Sequence, residues 1–91
     1  MSQQVIVNPD ELEQFAHNLK HFNDQLRENM ARLQGQFQHL GDTWQDQEHW
    51  KFAQEFEQTM RTLHQFQNTA DTHIPFLLRK AQRARDFLNQ R

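Results

Sequence analysis

The stretch Leu40-Gly41-Asp42-Thr43-Trp44-Gln45-Asp46 marks where one long apolar rhythm stops and a second begins, and its reading decides the fold. Gly41 follows the last apolar residue of the first run, as a C-terminal helix cap does. Asp42 or Thr43 is suited to cap the next helix, and Asp46 and Glu48 bring negative charge to its first turn, where the helix dipole favours it. A break this short makes the flanking helices antiparallel neighbours. The segment therefore predicts an all-α fold, an antiparallel two-helix hairpin. Helix is expected over about 8–40, a turn at 41–45, and helix again over about 46–89.

Upstream, the apolar residues run Leu12, Phe15, Leu19, Phe22, Leu26, Met30, Leu33, Phe37 and Leu40. Steps of three and four place them along one face of a helix. The start of that helix carries four signals. Asn8 is a good N-cap and Pro9 suits the first helical position. Glu11 stands at N3, where it can complete a capping box, and Val7 with Leu12 can form a hydrophobic staple. Asn29 interrupts a strict heptad and reads as a rim position. Gly35 is a mild weak point, costing up to about 1 kcal/mol against Ala.

Downstream, a second stripe runs Trp50, Ala53, Phe56, Met60, Leu63, Phe66, Ala70, Ile74, Leu77, Ala81, Ala84 and Leu88, with Phe52 widening it near the turn. Pro75 removes one backbone bond and predicts a kink or short break near Ile74. Beyond it stand Arg79, Lys80, Arg83, Arg85 and Arg91, half of the 10 Lys and Arg in the chain. Cations at a helix C-terminus suit its dipole.

A helix of about 33 residues spans about 50 Å. Two such rods share one seam, yet Phe37, Phe52, Phe66 and Leu78 add more bulk than one seam covers. Two hairpins packed as a dimeric four-helix bundle would cover it. The expected packing face is Leu12, Phe15, Leu19, Phe22, Leu26, Leu33, Phe37, Met60, Leu63 and Phe66. The pattern leaves homodimer and heterodimer both open.

Composition narrows the function classes. The chain has 91 residues, 35% of them hydrophobic, eight Phe and two Trp, and a mean hydropathy of -1.07. Regular aromatic spacing argues against disorder and for an elongated fold with a narrow core, stabilised in part by association. A net charge of -2 lacks the footprint of a nucleic-acid binder. The basic C-terminal segment keeps contact with nucleic acid or an anionic membrane as a third class, although it reads as an ordinary amphipathic helix end. With no Cys there are no disulfides or thiolate sites. Residues 1–7 carry neither the basic nor the apolar region of a signal peptide, and no apolar run approaches the roughly 20 residues of a membrane span.

Chemistry finds little purchase. His17 and His21 are spaced to share a metal, with His64 expected roughly opposite His21, but they fall away from the apolar seam and read as exposed polar residues. His39 and His49 flank the turn and could titrate together near neutral pH. There is no phosphate loop and no Ser beyond Ser2. Asp10, Glu11, Asp42, Asp46 and Glu48 have ready capping roles. The expectation is no enzyme, no cofactor and no metal.

A chain of this length, a helical hairpin, and Trp44-Gln45-Asp46 followed by Trp50-Lys51-Phe52 and Phe56 resemble the WXG family of small type VII secretion substrates, the early-secreted-antigen-like proteins. Two departures stand out. Asp46 occupies the Gly position of Trp-X-Gly, a change a turn or first helical turn tolerates. The family's export signal, a Tyr followed four residues on by an acid, is absent, because the chain has no Tyr. Phe76 and Phe87 are followed instead by Lys80 and Arg91. The resemblance implies association with itself, or with a paralogous or larger helical partner, and recognition of Trp44, Gln45, Asp46, Phe52 and Phe56 by a partner or secretion ATPase. It implies secretion without a cleaved signal. The missing Tyr supports the alternative, a cytoplasmic adaptor or chaperone for a larger helical toxin.

Overall fold

The computed structural model describes residues 7–90. Residues 1–6 of the N-terminal stretch, and Arg91 of the basic cluster, lie outside the described residues. Two helices account for nearly everything else: α1, Pro9–Leu40, and α2, Gln47–Asn89. They run antiparallel and touch from end to end, giving a body of 69 × 23 × 14 Å.

Asn8 starts α1 as the sequence predicts. Its side-chain oxygen accepts from the backbone N–H of Asp10 at 2.9 Å and of Glu11 at 3.2 Å, satisfying two donors that the helix leaves orphaned. Of the kink or short break expected at Pro75, the break does not occur. The chain stays helical from Gln47 to Asn89, with Pro75 exposed while neighbouring Ile74 is buried in the seam. A proline removes one hydrogen bond, and the packing of Ala70, Ile74 and Ala81 on α1 holds the helix across it.

The seam is narrower than the apolar stripes suggest. Ala16, Met30, Met60, Ala70, Ile74 and Ala81 are buried, together with the polar Asn23 and Gln67. Leu12, Leu19, Leu26, Phe37, Ala53, Phe56, Leu63 and Leu77 are half-buried beside them. Several residues expected inside lie outside: Phe15, Phe22, Leu33, Leu40, Trp50, Phe66 and Leu88 are all exposed. Their places in the helical register are taken by Ala16, Asn23, His49 and Gln67. Alanine at the contact lets two helix axes approach closely, whereas a ring there would force them apart. The rings are displaced to the flank.

Asn29 is exposed, accepting a bond from Arg32 at 2.8 Å. The buried polar residue of α1 is Asn23, whose Nδ2 donates to the Gln67 carbonyl at 3.2 Å and to Asp71 Oδ1 at 2.9 Å. Asn23 Oδ1 and Gln67 Nε2 are buried without a protein partner. A polar pair of this kind fixes the sliding register of two helices at a cost in stability.

Further polar straps join the two helices. Arg27 reaches Asp71 at 3.3 Å, and Arg85 reaches both Asp10 and Glu13 at 2.8 Å. Hydrogen bonds to Asp10 and then to Glu13 raise the Arg85 pKa above its ordinary value, so the guanidinium stays charged at any working pH. A Cβ built on Gly35 meets nothing within 4 Å. Gly35→Ala is therefore expected to stabilise the hairpin by up to about 1 kcal/mol, visible as a higher melting temperature.

Candidate functional site

The turn is wound tighter than a loop. After Leu40 the N–H groups of Thr43 and Trp44 both donate to the Leu40 carbonyl, at 3.1 and 3.0 Å, and that of Asp42 donates to the His39 carbonyl at 3.0 Å. Gly41 keeps a right-handed helical conformation, φ -62. Its smallness serves clearance, because an added Cβ would sit 3.3 Å from the Gln38 carbonyl and 3.7 Å from His49. Gln45 closes the turn by donating from Nε2 to the Gly41 carbonyl at 3.1 Å.

Neither Asp42 nor Thr43 caps α2. Asp42 pairs with His39 at 3.3 Å, and the Thr43 hydroxyl is turned back to the Leu40 carbonyl. Because the chain goes on winding through Thr43, the second helix starts later, and its N-cap is Asp46. Asp46 Oδ1 accepts from the backbone N–H of His49 at 3.0 Å and from the indole Nε1 of Trp44 at 2.9 Å. One carboxylate oxygen thus starts α2 and fixes the Trp44 ring. Asp46 itself is extended, φ -91, a conformation open to any residue, so the position makes no demand for Gly.

Around that clamp the turn end is closed by rings. His49 stacks on Phe37 at 5.4 Å, with planes 10° apart, and meets the Trp44 edge at 5.0 Å. Phe37 also contacts Phe56 at 4.7 Å and Phe52 at 5.6 Å, and Trp44 lies 5.9 Å from Phe52. Trp44, Asp46, Phe52 and Phe56 are therefore assembled at one end of the rod. The sequence reading missed His49 as the centre of this group and gave the inward place to Trp50. A Trp beside a His in a helical stripe reads as the core residue, but Trp50 is 68% exposed. At the same end an open groove of ≈ 670 Å³ is lined by Phe37, Ala53, Phe56 and Met60, with polar residues along its rim.

The ten residues expected to pack fall into two groups. Leu12, Leu19, Leu26, Phe37, Met60 and Leu63 join the seam inside the hairpin, buried or half-buried. Phe15, Phe22, Leu33 and Phe66 stand on the outer surface. Helical spacing puts Phe15, Phe22, Leu33 and Leu40 on one flank of α1. Phe22 meets Phe66 edge-on at 6.0 Å across the hairpin, so the two flanks form one apolar face.

His17 contacts Glu13 at 3.7 Å, and among the described residues no group of three or more potential metal ligands comes together. Among the same residues no helix is long and apolar enough to cross a membrane.

Two long helices, a Trp-anchored turn and an apolar outer face define a small helical-hairpin protein. The profile of the WXG100 family, proteins of 100 residues with WXG, matches residues 4–87, and the chain belongs to that family. Among solved structures it is similar to the secreted protein EsxB of Bacillus anthracis str. Sterne. The wild-type form is 26% identical with a TM-score of 0.77, covering 93% of this chain and 91% of the other. The selenomethionine-labelled form is 26% identical with a TM-score of 0.76, over 97% and 100% of the two chains. No curated protein matches the chain.

Asp46 at the turn has two roles, capping α2 and accepting from the Trp44 indole. Asp46→Ala is expected to lower stability by about 1–2 kcal/mol, since it strips α2 of its cap and the Trp44 indole of its acceptor. Asp46→Asn keeps an oxygen in place and should lose far less. Thermal melts followed by circular dichroism compare the two, and equal losses would refute the dual role.

Proposed function

We propose that this chain acts through protein–protein association, as a small substrate or partner of a type VII-like (ESX) secretion apparatus. The carrying observation is the apolar outer face running from Phe15 to Leu40 on α1 and past Phe66 on α2, left exposed by a hairpin whose own seam is already filled. Burial of such a face is the main source of association energy. The WXG100 membership and the secreted EsxB relatives support the secretion context. In this reading a second hairpin, either another copy or a paralogous or larger helical partner, covers the face. The turn end at Trp44, Asp46, Phe52 and Phe56 stays available to a partner or a secretion ATPase.

Detection of the protein in culture medium tests this reading, comparing cells with an intact secretion ATPase with cells lacking it. Export that depends on the ATPase supports it. Retention in cells with a co-purifying large helical protein supports the second reading, a cytoplasmic adaptor or chaperone. The absence of any Tyr for the family's export signal favours that alternative.

A further inference from the structure

The cations that follow Pro75 do not serve the helix that carries them. The last turn of α2 holds no basic residue, and the dipole of a helix acts only within its end turn, so it does not account for Arg79, Lys80 and Arg83. Arg85 is drawn into the hairpin, bound to Asp10 and Glu13 at 2.8 Å. The other three are exposed and make no ion pair among the described residues. They share one edge of α2 with two rings. Phe76, Arg79 and Lys80, Arg83 and Phe87 follow one another in steps of three and four. Phe76 is 47% exposed and Phe87 48%.

This edge is turned away from the rest of the hairpin. Phe76 and Arg83 each stand two residues after a buried residue of the seam, Ile74 and Ala81, which carries them to the far side of the helix from α1. The outer face around Phe66 lies about a quarter turn away, so a partner covering that face leaves the edge free. Opposing charge is scarce. The only acid after Asp71 is Asp86, on the flank of the edge, where it accepts from Gln82 at 2.9 Å. Towards the turn the same edge continues through the uncharged Thr69, Gln65, Thr62 and Gln58. Positive charge and exposed rings are therefore concentrated at one end of the rod.

We propose that this edge docks the hairpin on a membrane surface rich in anionic phospholipid. The two rings, about 16 Å apart along a straight helix, enter the boundary beneath the head groups. The long stems of Arg79, Lys80 and Arg83 let their charges stay at the level of the phosphates. Surface attachment of this kind needs both signals, apolar burial and charge attraction. The shape selects a lipid surface over single-stranded nucleic acid, which is held where aromatic platforms line a basic groove. Here the rings stand on a convex ridge. The contact is peripheral, since among the described residues no helix is long and apolar enough to cross a membrane.

Cosedimentation of the full chain with vesicles tests the proposal. Binding is expected to vesicles of equal parts phosphatidylcholine and phosphatidylglycerol, and to be weak with phosphatidylcholine alone. The variant R79Q/K80Q/R83Q should bind the anionic vesicles about a hundredfold more weakly, and F76S/F87S at least about tenfold more weakly. The variant R32Q/K51Q/R61Q makes the same change in net charge away from the edge and should bind nearly as the wild type does. All of these positions are exposed, and circular dichroism checks that each variant keeps its helix content. No binding to the anionic vesicles would overturn the proposal, as would equal binding to phosphatidylcholine alone. Equal losses in the two charge variants would show a response to net charge and not to this edge. Loss of vesicle binding in Phe66→Glu would move the membrane contact to the outer face. Tighter binding to a single-stranded oligonucleotide than to anionic vesicles would assign the edge to nucleic acid instead.

Discussion

Phe66→Glu is expected to abolish association through the outer face while leaving the hairpin folded. Phe66 is 42% exposed, and its ring contact is the edge-on one with Phe22 at 6.0 Å. The hairpin seam, built on Ala70, Ile74 and Gln67 at this level, is untouched. The carboxylate would sit at the centre of the outer face, where burial under a partner leaves it unpaired, at a cost of several kcal/mol. Central aromatic anchors carry interface energy of about 2–4 kcal/mol on their own. Together these effects weaken association by roughly a thousandfold or more. Light scattering reads the mass and far-ultraviolet circular dichroism the helix content. A variant that still associates at micromolar concentration would mean that the hairpin meets its partner on some other surface.

Ala16→Leu is expected to have the opposite signature, damaging the hairpin itself. Ala16 is 0% exposed, and Ala81 on the other helix is 1% exposed. Adding three carbons where two backbones approach forces the axes apart or the rotamers off their minima, costing about 1–3 kcal/mol. In a domain of this size that lowers the melting temperature by roughly 5–20 °C. Ala31→Leu, on the exposed surface of the same helix, is the control and should change little. Equal behaviour of the two would mean that the seam is loosely packed.

The hairpin was legible in the sequence because its signals are local. Asn8, Pro9 and the three-four periodicity each act within a few residues, and the helix bounds follow from them. What sequence did not reveal was which apolar residues face inward. In a two-helix rod the stripe that meets the partner helix and the stripe that meets a second molecule lie side by side on the same wheel. Hydrophobicity alone ranks Phe15, Phe22, Phe66 and Trp50 above Ala16, Asn23, Gln67 and His49. Close approach of the backbones reverses that ranking, because the centre of the seam selects small size and tolerates a polar pair that fixes register.

The turn shows the same limit from another side. Trp44, Gln45 and Asp46 are marked by the family resemblance, but the double duty of one Asp46 oxygen depends on the angle at which the chain leaves Leu40. Thr43 winding back onto α1 moved the cap to Asp46. His49 is a titratable residue type by sequence, whereas its position is that of a ring among rings.

The flatness of the hairpin has a hydrodynamic consequence. Its radius of gyration is 20.5 Å, against about 12 Å for a globular chain of this length. A single copy therefore elutes from a sizing column as though it were a much heavier protein. A second hairpin laid side by side along the full length would thicken the plank without lengthening it, so scattered intensity at zero angle would double while the radius of gyration scarcely moved. Size and mass part company in this molecule, and stoichiometry is to be read from mass.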